Sequence, residues 1–141
     1  MPRVPAAAHL LVLLAMFTLS GCGDDSTNLP TGPSENPTYV TDSYTGTLNA
    51  TETGTHPFTA KTAGTITITL TTLLPTSTLT MGIGLGTWNG SACNVTLTTG
   101  AATQGSSFNA SATSAGNFCV TIFDIGNITE ATSYTLTVTH P

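Results

Sequence analysis

The chain is poor in charge, and above all in positive charge. Among 141 residues only Arg3 and Lys61 are basic, set against seven carboxylates, for a formal net charge of −5. So few cations cannot neutralise a phosphate backbone, and no polybasic segment is present for anionic lipid headgroups, so nucleic acid is excluded as a partner. Histidine is also scarce, limited to His9, His56 and His140. His56 has no serine, cysteine or carboxylate patterned beside it, and His140, next to the last residue, is expected to be mobile. The carboxylates Asp42, Glu52, Asp124 and Glu130 are scattered, so a hydrolase or metal-dependent centre would have to gather them in space. An active site needs titratable groups in perturbed surroundings, and this composition favours a non-enzymatic module over that alternative. Helical stripes are absent as well. The longest apolar run, Leu10 to Leu19, is too short to span a bilayer.

That run has the length and the small-residue ending of a secretory h-region. The residues at its end, Leu19, Ser20, Gly21 and Cys22, resemble the bacterial lipobox. The resemblance implies cleavage before Cys22 and acylation of its sulfur, with residues 1–21 removed as a lipoprotein signal peptide. Lys61 would then be the only basic residue left. Residues 22–38 read as the lipidated cysteine and a flexible linker, since Asp, Ser, Thr, Asn and Pro dominate and Leu29 is the only large aliphatic side chain there. The partner implied is a membrane, held through the N-terminal lipid. Burying more than one acyl chain, at about 0.8 kcal/mol per CH₂, gives a durable anchor. The expected location is the bacterial cell envelope, with the domain outside the cytoplasm.

Once Cys22 is assigned to lipid, Cys93 and Cys119 remain. An oxidising compartment lets them pair, and the closed loop would restrict the unfolded chain by about 3–4 kcal/mol. Two buried free thiols are the alternative.

Residues 39–141 alternate with a period of two. Ile66, Ile68 and Leu70 interleave with Thr65, Thr67 and Thr69, which writes one apolar and one hydroxylated face. Similar patterns run through Leu79 to Leu85, Cys93 to Leu97, Phe118 to Ile122 and Tyr134 to Val138. Weaker ones cover Tyr44 to Leu48, His56 to Ala60 and Ser106 to Ala112. Glycine- and asparagine-rich turns separate them, and threonine, more than a fifth of the chain, disfavours helix. The pattern predicts an all-β domain, an antiparallel β-sandwich of seven or eight strands, jelly-roll or Ig-like, with a closed β-barrel as the alternative. With edge lysines lacking, blunting of the sheet edges falls to Pro57, Pro75 and the glycines between Met81 and Gly86.

The order of these motifs is similar to that of the bacterial pre-peptidase C-terminal domain. The shared elements are Gly46 and Leu48, Phe58, Gly64 to Leu70, Leu79 to Leu85, Ala115 to Ile122, and Tyr134 to Val138. The resemblance implies a β-sandwich and carries no peptidase activity, since no peptidase domain accompanies it. His56 and Pro57 stand where that family commonly has an acidic residue, which argues against a family-like cation site there.

Two further features bear on binding. Asp124, Asn127 and Glu130 put three oxygen-bearing side chains in one loop, a chemistry that suits calcium, although an Asx-type turn uses the same residues. Trp88, the only tryptophan, stands before Asn89 and Gly90 and would stack on a ligand if exposed, or pack on its hairpin if not. Together the sequence predicts a lipid-anchored envelope module without catalysis or an obligate cofactor, binding an envelope protein or glycan or serving as a spacer.

Overall fold

A computed structural model describes residues 36–141. Residues 1–35, which include the expected signal segment, Cys22 and most of the expected linker, lie outside the described residues. Eight strands follow one another: β1 (Val40–Leu48), β2 (Thr53–Ala60), β3 (Gly64–Leu74), β4 (Met81–Trp88), β5 (Cys93–Ala102), β6 (Ser107–Ala112), β7 (Gly116–Phe123) and β8 (Thr132–His140). The weakly patterned stretches become β1, β2 and β6. Their alternation is diluted because each is an edge strand with one neighbour, so fewer of its positions need to be apolar.

The strands form two four-stranded antiparallel sheets, β1-β8-β3-β6 and β2-β7-β4-β5. Every consecutive pair except β4–β5 crosses from one sheet to the other, which is the eight-stranded jelly-roll arrangement and not the Ig-like one. Both sheets keep open edges, so the domain is a sandwich and not a closed barrel. β4 is a central strand between β7 and β5. Its glycines therefore do not blunt an edge, contrary to the sequence expectation, and Pro75 follows a central strand as well. Pro57, on edge strand β2, sits where the missing N–H costs no ladder bond.

The core lies between the sheets. Ile66, Ile68 and Leu70 of β3 and Leu136 and Val138 of β8 face Met81, Ile83 and Leu85 of β4 and Val120 and Ile122 of β7, all buried. Each such side chain contributes about 1.5–3 kcal/mol on leaving water. The other face of the first sheet is hydroxylated. Cross-strand pairs join Thr41 to Thr139 (2.8 Å), Thr69 to Ser107 (2.8 Å) and Thr67 to Asn109 (2.9 Å). These pairs stiffen a wet sheet face without charge.

Candidate functional site

The outer face of the second sheet is built differently from that of the first. On β4, Met81, Ile83 and Leu85 point into the core, so the alternate positions Gly82, Gly84 and Gly86 fall on the outer face. Each glycine makes room for a neighbour that folds over it. The Phe123 ring of β7 lies across Gly82, and the side chains of Thr121 and Val95 close over Gly84. At Gly86 the backbone of Asn94 and Val95 passes directly overhead, at the register shift between β4 and β5.

That crossing lets a distant pair of sulfurs meet. Cys93 and Cys119 belong to β5 and β7, which are separated by β4. Strands two places apart in a sheet stand roughly 9.5 Å from each other. Their Cα atoms are 5.7 Å apart and the disulfide is formed across β4. The start of β5 is thereby folded over the sheet and pinned.

The result is an open groove of about 530 Å³ on this face, a size common for ligand sites. Trp88, half-buried, and Phe123 supply aromatic rings. Thr53, Thr55, Ser91, Thr98 and Thr121 supply hydroxyls, and no lining residue is ionisable. The loop beside Trp88 is held by Asn89, whose Oδ1 accepts the N–H groups of Ser91 (2.9 Å) and Ala92 (2.8 Å). Gly90, at φ 100°, completes that turn. Sequence reasoning singled out Trp88 but missed the groove, because Phe123 and the threonines come from three other stretches of chain.

The ionisable groups collect elsewhere, between the sheets where β1 and β2 approach. Tyr44 stacks on His56 with ring centroids 4.8 Å apart, and His56 Nε2 shares a 2.8 Å hydrogen bond with the Tyr134 hydroxyl. The Tyr44 hydroxyl donates toward the Pro57 carbonyl (3.1 Å) and Asp42 Oδ2 (3.3 Å). Asp42 Oδ2 also accepts from His140 Nε2 at 3.0 Å. His140 is thus 3% exposed and fixed, not mobile, and His56 is partnered, not isolated. The sequence hid both because their partners lie 78 and 98 residues away. Burial, then the neighbouring Asp42 charge and hydrogen bond, push the Tyr44 phenol up to about 12. Burial alone pushes His56 down and Tyr134 up. Gly46 and Gly54 flank Tyr134 so closely that a Cβ on either would strike its ring or hydroxyl.

The Asp124 loop is a third arrangement. Asp124 Oδ1 accepts the N–H groups of Gly126 (2.8 Å), Asn127 (2.8 Å) and Ile128 (3.1 Å), and Oδ2 accepts that of Thr51 (2.9 Å). These four backbone bonds, with Thr51 foremost, hold its carboxyl down at about 2. They also tie this loop to the β1–β2 turn, where Thr51 has a left-handed backbone at φ 67°. Asn127 Nδ2 donates to the Thr80 carbonyl (3.1 Å), and Glu52 is occupied with the Asn49 backbone and side-chain amides (2.8 and 3.1 Å). The Asp124 and Asn127 contacts are those of an Asx-type turn, and they lend the calcium reading of Asp124, Asn127 and Glu130 no geometric support. Among the described residues no three His, Cys, Asp or Glu side chains are gathered as a metal ion requires.

The predicted site residues therefore separate. Trp88 and Cys93 line the groove, with the buried Cys119 bonded to Cys93, while Asp124 closes a loop and Cys22 lies outside the described residues. No protein-family model matches the chain, and no curated protein matches it.

Proposed function

We propose that this chain is a lipid-anchored module of the bacterial cell envelope that binds an envelope component through the outer face of its second sheet and carries out no catalysis. The observation that carries the reading is a division of labour between the outer face of that sheet and the interior between the two sheets. The groove face is neutral, aromatic and hydroxylated. In the sandwich interior, His56 of this sheet is engaged with Tyr44 and Tyr134 of the first sheet, and His140 with Asp42 within the first sheet. The lipobox-like Leu19 to Cys22 supplies the address, and the polar, proline-containing composition of the linker supplies the reach. The motif order similar to the pre-peptidase C-terminal domain supports the same reading at the level of fold only.

The test uses the full chain extracted from membranes. Wild-type protein partitions into detergent with the mass of a processed, acylated Cys22, whereas Cys22→Ser remains an unprocessed precursor. Wild type also retains a component of solubilised envelope that Trp88→Ala releases. The reading is overturned if Cys22 is recovered unmodified, or if a hydrolase screen finds turnover that disappears on substituting Asp42, Glu52, Asp124 or Glu130 in a folded protein.

A further inference from the structure

We propose that the groove on the second sheet takes a neutral oligosaccharide, with Trp88 stacked on the apolar face of a sugar ring. This rests on the binding-module reading above and names its ligand. The groove lies on a sheet face, and beneath it the central strands β7 and β4 are paired on both sides. A peptide joining by strand addition needs unpaired backbone, which is found at the outer edges of β2 and β5 and not on the floor of the groove. What remains to bind with is side chains: aromatic rings and hydroxyls, with the aliphatic Ala92 and Val95 and the disulfide of Cys93 between them.

Charge narrows the choice further. With no cation in the lining, a phosphorylated, sulfated or carboxylated ligand would have its charge desolvated without a partner. A long acyl chain would leave the hydroxyls of Thr53, Thr55, Thr98 and Thr121 unsatisfied beneath it. A pyranose chain alternates C–H faces with hydroxyl edges, and so matches rings with hydroxyls between them. Length agrees too. Phe123 lies over Gly82, and Trp88 stands six residues further along β4, roughly 20 Å away at the usual strand rise. Such a span admits several linked rings. The disulfide beside Trp88 fixes the start of β5, so the aromatic platform is held before the ligand arrives.

The experiment is a titration of the full chain, held in a detergent without a sugar headgroup. The probes are cellohexaose, chitohexaose, xylohexaose and mannohexaose, with hexagalacturonate as the charged comparison. Because Trp88 is the sole tryptophan, its intrinsic fluorescence reports the groove directly. The expected result is saturable binding of at least one neutral hexaose with a shift in tryptophan emission, and none of hexagalacturonate. Trp88→Ala weakens that binding about tenfold or more, as loss of one stacking contact would, and Trp88→Phe restores most of it. Thr98→Glu, on the exposed wall, abolishes it while the strand-type circular dichroism and melting temperature hold. Binding of none of the neutral probes, or binding that Trp88→Ala leaves unchanged, overturns the proposal. If the chain instead retains an envelope protein in a Trp88-dependent way, the glycan assignment falls and the binding-module reading stands.

Discussion

At the scale of single residues, a few side chains and glycines do work that composition does not reveal. Asp124 uses one carboxylate to satisfy four backbone donors and so joins two loops. Its folded-state pKa lies near 2, below the ordinary value of 3.8, so its contribution to stability is present above the ordinary value and lost as pH falls toward 2. Acid titration of the melting temperature should therefore show a drop between about pH 4 and 2 that is smaller in Asp124→Asn, a variant already less stable at neutral pH. Equal acid sensitivity in the two proteins contradicts this role. Gly86 works by lacking a side chain, since a Cβ there would strike the backbone of Asn94 and Val95. Backbone yields less readily than the end of a side chain, so Gly86→Ala should cost about 1–3 kcal/mol in chemical unfolding. Gly100, with open space around it, is the control, and Gly100→Ala should stay within about 0.5 kcal/mol of wild type.

At the scale of elements, legibility followed periodicity. The run from Ile66 to Leu70 reads as a strand because its two faces differ at every step, and the structure buries Ile66, Ile68 and Leu70 while leaving Thr65 in water. Met81 to Gly86 reads as apolar alternation too, but the meaning of its glycines depends on strand order, which no local pattern encodes. They lie on the outer face of a central strand, where Phe123, Thr121 and Val95 close over them and line the groove in their place. Cys93 and Cys119 were paired by elimination and compartment, and the structure joins them. Their crossing of β4 was not legible, because it needs the bulge at Gly86 and the jelly-roll order together. His140 was misread as mobile, and the partners of His56 went unseen, for a related reason: each gains its partner only when β8 closes beside β1. The crossing gives an expected outcome. Reduction should lower the melting temperature, in line with about 3–4 kcal/mol of loop restriction, without abolishing the fold, because the core strands are buried independently of the sulfurs. Thiol labelling of the denatured, unreduced protein should find neither Cys93 nor Cys119 free. Two labelled thiols there, or complete unfolding on reduction, would contradict it.

At the scale of the whole molecule, the two faces of the second sheet differ: the inward face holds the sandwich together, and the outward face carries the groove proposed to meet the envelope. That assignment predicts where the molecule is covered in its native setting, whatever the ligand is. Hydroxyl-radical footprinting read by mass spectrometry can compare the chain in intact envelope with the chain purified in detergent. The exposed side chains Tyr39 and Leu74 lie away from the groove and serve as references. The account predicts that oxidation of Trp88 falls several-fold in the envelope while Tyr39 and Leu74 are labelled equally in both preparations. Equal labelling of Trp88 in the two, with protection appearing at Tyr39 or Leu74 instead, would contradict the claim that the groove face is the working surface.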